Sequence, residues 1–260
     1  MFRLLRASLL VLCVAALTAT AQDTLRLRVM TLNLHFGSDA SLKRIAQCID
    51  SVHPDLVALQ EVDCFTRRKG VPQQNGKDFI GQLAFHTGMF GAYGKTIRFA
   101  GGYYGIGLLS RHPLVWTRKH LLPNPDPKKE QRALLEALVE LPCGDSVIFA
   151  STHLEAFSAL CRTAQGDWLR DYSLGLNGYP AIIGGDFNCT PSDAVITDVM
   201  NSLWQDVSGD GLTFPASSPG RKIDYIFARP KDKWTITDTH TVPVIISDHL
   251  PVVTSIELVR

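Results

Sequence analysis

The sequence carries no excess of one charge: 26 Lys and Arg stand against 25 Asp and Glu in 260 residues. A near-neutral surface lacks the broad positive field with which proteins hold nucleic acid non-specifically. Charge blocks, heptads and low-complexity tracts are absent too, which excludes a coiled coil, a collagen and a long disordered tail. None of the six cysteines forms a C-x-x-C pair, so nothing points to a zinc knuckle. The glycines at 101–105 lack the lysine spacing of a phosphate-cradling P-loop. No run after residue 21 approaches the ~20 apolar residues that a bilayer span requires.

What is present begins with a processing signal. Arg3 and Arg6 precede the apolar run Ala7–Leu17, and Ala19-Thr20-Ala21 puts small residues where signal peptidase reads. This predicts a signal peptide over residues 1–21, cleaved before Gln22, and an exported chain, periplasmic or extracellular, without a transmembrane segment. Cys13 does not fit a lipoprotein, because Leu12 stands where a small residue is required. Without the two arginines of residues 1–21, the 26 bases fall to 24 against 25 acids. Five cysteines then remain, an odd number, so at least one thiol stays free if bridges form within the chain. Arg67-Arg68-Lys69 and Lys128-Lys129 are short basic patches, read either as solvated loops or as local binding sites.

Hydrophobic periodicity predicts an α/β chain of 22–260 with no linker between halves, read as one catalytic domain. Strands are expected at 25–34, 56–59, 103–110, 113–118, 179–187, 222–228, 242–246 and 252–258. A hairpin is expected over 132–141 and 146–153. Helices are expected at 41–52, 79–87, 164–174 and 192–201, and a polar loop at 63–78.

Several of these strands end in polar residues: Asn33-Leu34-His35, Gln60-Glu61, Thr152-His153-Leu154-Glu155, Gly184-Gly185-Asp186-Phe187-Asn188 and Ser247-Asp248-His249. Taken singly, each is an ordinary turn, strand end or cap. Together they supply oxygen ligands and imidazoles to one sheet rim. Such a set suits a hard cation that neutralises charge on a transferring phosphoryl group and orients a water. Asp186 and Asn188, two apart on an extended strand end, are expected to share a face. Asp224, inside an apolar strand, needs a partner, and a histidine held by a carboxylate makes a general base.

With these motifs in this order, the sequence resembles the endonuclease/exonuclease/phosphatase superfamily, from Asn33 to His249. The resemblance implies a four-layer α/β sandwich, with two mixed β-sheets face to face and helices outside. It implies a metal-dependent hydrolase of phosphoric esters acting by in-line attack of water, with Mg2+ as cofactor and Mn2+ the alternative. Glu61, Asn33 and Asp248 would hold the metal. Asp186 would orient or deprotonate the water, Asn188 would hold the phosphate, His249 would pair with Asp224 and act as base or as phosphate-charge stabiliser, and His153 would lie near the scissile phosphate. Arg132 matches an arginine that family members keep, either as a phosphate contact or in an ion pair. His35 stands where abasic-site endonucleases carry an acid, which weakens a DNA-repair reading. Lys95 and Gly101–Gly105 resemble secreted and lipid-active members, with Tyr103 or Tyr104 facing substrate or core. A small-molecule or lipid-head-group phosphoester is favoured over nucleic acid. The alternatives are a secreted nuclease of the same fold and a non-catalytic binding module.

Overall fold

In a computed structural model, residues 24–142, 144–176 and 178–259 are described. The expected signal peptide, with Cys13, lies outside them, as does Cys143. The first sheet runs in spatial order β11 (Trp234–Thr241), β12 (Val252–Val259), β1 (Thr24–Asn33), β2 (Leu56–Cys64), β4 (Gly102–Ser110), β3 (Phe90–Phe99). The second runs β5 (Leu114–Leu121), β6 (Ala133–Glu140), β7 (Ser146–His153), β8 (Ala181–Asp186), β10 (Asp224–Arg229), β9 (Gln205–Asp206). Only β1–β2 and β7–β8 pair in parallel, so both sheets are mixed. Helices α1 (Leu42–Val52) and α2 (Phe79–Thr87) cover the first sheet, and α3 (Ala159–Gly175) covers the second.

This is the expected four-layer sandwich, and its core divides accordingly. Leu27, Val29, Ala58 and Leu108 meet Leu135, Ala137, Phe149 and Ile182 between the sheets. Leu42, Ile45, Ala46 and Ile49 of α1 form the i, i+3, i+4, i+7 stripe the sequence predicts and pack on the outside of the first sheet. Ser41 caps that helix, its Oγ accepting from the Arg44 amide at 3.3 Å. The sheets approach so closely at Gly184 that a Cβ there would lie 2.8 Å from the Cβ of Ala58.

The structure corrects four expectations. Residues 242–246 are not a strand, because Pro243 has no amide to give a ladder; the strand is β11, just before. That element is a mostly exposed edge strand, bulged between Ile236 and Asp238, and its threonines carry no apolar period. Strand β3, interrupted by Gly91 and Gly94, also forms where none was expected. Strand β2 extends to Cys64, through the start of the expected loop. The helix expected at 192–201 begins only at Val195, with π-helical hydrogen bonding to Met200. Cys48, Cys64, Cys161 and Cys189 are free thiols.

Candidate active site

The C-terminal ends of β1, β2, β7 and β8 and the start of β10 bring the polar clusters to one rim. Glu61 reaches it through a bulge: Leu59 pairs with Gly107 and Val62 with Gly105, so Gln60 and Glu61 together oppose Ile106. Glu61 takes a left-handed backbone there, with φ of 55°. Its carboxylate accepts from Asn33 Nδ2 at 3.1 Å, and the same amide donates to Asp186 Oδ2 at 3.1 Å. Asn33 thus ties the two sheets together through two acidic side chains. Its Oδ1 accepts from the His35 amide at 2.9 Å. Below them, Gln60 Nε2 donates to Ser151 Oγ at 3.1 Å, a buried cross-sheet bond that fixes the floor.

Asp224 and Asp186 are register partners on β10 and β8. His249 Nδ1 lies 2.9 Å from Asp224 Oδ2, and its Nε2 lies 3.7 Å from Asp186 Oδ2. Burial alone would lower the His249 pKa, but Asp224, with Asp186 and Asp248, raises it to about 10. His249 is therefore an imidazolium at neutral pH, with Nδ1–H given to Asp224. Asp186 moves the other way from an ordinary carboxylate. Burial and the neighbouring Asp224 raise its pKa, against the His249 charge and the donors Asn188 and Asn33.

His153, at the end of β7, has Nδ1 3.1 Å from Arg132 Nη1 and Nε2 3.4 Å from Asp186 Oδ2. Burial and the Arg132 charge hold its pKa well below the ordinary range. Arg132 is itself buried between acids, with Nη1 2.8 Å from Glu130 Oε1 and Nε 3.6 Å from Glu155 Oε2. The structure thus places Arg132 in an ion-pair network touching His153.

Asn188 corrects one geometric expectation. It does not continue the strand of Asp186; it turns with φ of 50°. Its amide N–H donates back to Asp186 Oδ1 at 2.9 Å, and Nδ2 donates to Leu154 O at 3.0 Å. It stands beside Asp186 by a turn, not by strand alternation, with one amide proton left for a ligand. Asp248 sits at the open edge, its Oδ1 3.7 Å from His35 Nδ1, which also pairs with Asp39 at 2.7 Å.

Among the described residues, one cluster of acids and histidine brings possible metal-ligand atoms together. Asp186, Asp224 and His249 bring ligand atoms within 4.8 Å of one another. The His249 Nδ1 there is already paired with Asp224 Oδ2 at 2.9 Å. Of the expected metal set, Glu61 and Asp248 carry carboxylate oxygens that suit a hard cation, while Asn33 turns its Nδ2 to Glu61 and Asp186 and its Oδ1 to the His35 amide.

Sequence reasoning gave Glu130 no role, and it placed Asp63 in the Gln60-Glu61-Val62-Asp63 strand end without seeing that Asp63 holds Arg68 in a fork at 2.7 and 3.0 Å. An arginine at the mouth of an apolar strand requires acids beside it, so Arg132 was the signal for Glu130. Tyr104 is core and Tyr103 is at the surface. The glycines of this stretch permit close backbone contact, since a Cβ at Gly105 would meet Gly94 O at 2.1 Å.

The sequence model of the endonuclease/exonuclease/phosphatase family matches residues 30–249. No curated protein matches the chain significantly. Among solved structures, a Beutenbergia cavernae endonuclease/exonuclease/phosphatase protein is similar, at 25% identity and TM-score 0.74, over 90% of this chain and 72% of that one. The human nocturnin catalytic domain, with a bound sulfate anion, is similar at 21% identity and TM-score 0.63, over 90% and 97%. A Bacteroides thetaiotaomicron mannosyl-6-phosphatase is similar at 17% identity and TM-score 0.64, over 88% and 99%.

Proposed function

The chain belongs to the endonuclease/exonuclease/phosphatase family, and on that footing we propose that it is an exported, magnesium-dependent phosphoesterase using a water nucleophile. The observation that carries this reading is the line Asp224–His249–Asp186, with Nδ1 at 2.9 Å from one carboxylate and Nε2 at 3.7 Å from the other. Glu61, Asn33 and Asp248 would hold Mg2+, or Mn2+ in its place. The bound cation supplies charge neutralisation at the phosphoryl oxygens.

The chain's own residues do the rest. Asp186, its pKa raised by burial and Asp224, orients the water and accepts its proton. His249 presents Nε2–H to charge developing on phosphate, with its ring orientation and charge set by Asp224. His153 adds a neutral donor at Nε2, and Asn188 adds its free amide proton. Arg132 acts on the phosphate through His153.

The near-neutral chain favours a small or lipid-linked phosphoester over long nucleic acid. The name of the Bacteroides neighbour, a mannosyl-6-phosphatase, keeps monoesters in play beside diesters. The test is hydrolysis of a simple phosphodiester, a phosphomonoester, sphingomyelin and plasmid DNA, each with and without chelator. The expected result is chelator-sensitive turnover of at least one, lost in His249→Ala. Silence on all four from a folded, magnesium-binding protein would overturn the catalytic reading.

A further inference from the structure

The loop that follows His153 is built to hold an apolar side chain in water. Phe157 is 87% exposed and Leu160, at the start of α3, is 64% exposed. Exposure of this kind usually accompanies a mobile tip, yet here the backbone is fastened on every side. The Glu155 amide donates to Gln165 Oε1 at 2.9 Å, and the Phe157 amide donates to Glu155 Oε1 at 3.0 Å. Arg162 Nη1 donates to the carbonyls of Glu155 and Ala156 at 3.0 and 2.7 Å. Ser158 then caps α3, its Oγ accepting from the Cys161 amide at 3.3 Å. A presented, ordered apolar wedge is a binding feature rather than a packing accident.

Cations surround this wedge and continue along the rim. Lys129 Nζ lies 6.0 Å from the Phe157 ring centre, and Lys128 is exposed beside it. A depression of about 600 Å³ leads from Lys128 and Lys129 to Phe99. A second, of about 540 Å³, leads from Phe99 to Phe36, Arg67 and Lys69. Phe65, 54% exposed, stands on the same loop as Arg67. Two acids of this arc are held by arginines, Asp63 by Arg68 and Glu130 by Arg132, while Asp126 accepts from the Lys128 amide. The two basic patches of the sequence thus lie on the same side of the site, interleaved with exposed aromatics, on a chain whose net charge is close to zero.

We propose that this rim docks on an anionic phospholipid bilayer. Phe157 and Leu160 enter the acyl boundary, while Arg67, Lys69, Lys128 and Lys129 lie at the level of the lipid phosphates. Charge complementarity selects an anionic partner. Leu160 beside Phe157, and Arg68 already clasped between Phe36 and Phe99 at 4.1 and 4.3 Å, select an apolar phase over stacked bases. The docking stands on the rim alone. Its consequence, a substrate phosphoester presented in the headgroup layer, rests on the function proposed above.

The test is co-sedimentation of residues 22–260, which contain every described element, with phosphatidylcholine vesicles with or without about 30% phosphatidylglycerol, in chelator. Binding to the anionic vesicles is expected. The double variant Phe157→Asp, Leu160→Asp should lose it about tenfold or more, since each side chain buries a transferable apolar surface. Lys128→Glu with Lys129→Glu should erase the preference for anionic lipid. Phe85→Asp, equally exposed but on α2, should bind as wild type. The Phe157→Trp variant should show a blue shift in its emission on anionic vesicles that the wild type lacks. His249→Ala should bind normally, and the double aspartate variant should hydrolyse a small soluble diester at the wild-type rate. Loss of catalysis and loss of docking are therefore separable. Equal sedimentation of wild type and the double variant, or an emission from Phe157→Trp that vesicles leave unshifted, would overturn the docking. So would Phe157-dependent binding of a single-stranded oligonucleotide without vesicle binding, which would make the rim a nucleic-acid surface.

Discussion

Arg132 and His153 meet at 3.1 Å, guanidinium to Nδ1. A guanidinium can only donate, so Nδ1 must accept, and the single ring proton of His153 sits on Nε2. The two histidines of the site therefore differ: His249 carries two ring protons and a charge, His153 one proton and none. Nitrogen-15 NMR of the imidazoles should report Nε2–H for His153 at neutral pH. A proton on Nδ1 would contradict the arrangement.

Replacing Arg132 should cost stability as well as activity. Glu155 would be left as a buried acid without its cation and Glu130 as a half-buried one, a loss of up to about 3–5 kcal/mol for breaking such a network. Urea denaturation of Arg132→Met tests this. An unchanged midpoint would mean that the acids find water instead.

Glu61→Gln should retain the fold and lose metal affinity. The carboxamide keeps the shape but removes the charge a hard cation needs, and turnover at limiting magnesium should fall by about 100-fold. Magnesium titration of turnover is the check, and a wild-type curve would take Glu61 out of the metal set.

His249→Ala should lower turnover by about 100-fold or more, the usual worth of an acid–base or charge-stabilising group. Asp224→Asn should follow it in direction, because His249 loses the carboxylate that keeps it charged. A wild-type rate in either would remove the Asp224–His249 pair from the mechanism.

The same pair governs stability against pH in the absence of metal. His249 has its folded pKa raised from 6.5 to about 10. Its contribution is fully present below about 6.5 and is lost as pH climbs through about 10, worth on the order of a few kcal/mol. Chelator-treated protein should therefore unfold at lower denaturant at pH 10 than at pH 7. Asp224→Asn should flatten that slope; a slope unchanged in the variant would assign it to other groups.

Much of this was readable in the residues. The α1 stripe, the β6–β7 hairpin and the polar strand ends are strong local signals, since burial on one face imposes a period. Glu61, Asp186, Asp224 and His249 could be picked out because carboxylates and imidazoles beside apolar runs require a reason. Two edge strands were not readable: β3 and β11 bury little, so threonine and glycine satisfy them without a period, whereas the edge strand β5 was expected. The turn at Asn188 and the fork between Asp63 and Arg68 depend on contacts made after the chain has folded. Propensity does not encode them.

The bulge at Glu61 has a cost in persistence. A left-handed glutamate inside a strand pair is a conformation glycine would occupy with less strain. Glu61→Gly should therefore resist heat at least as well as wild type while failing to turn over substrate. Selection for longevity alone would favour glycine at this position; a glutamate held there against its backbone preference fits selection for turnover.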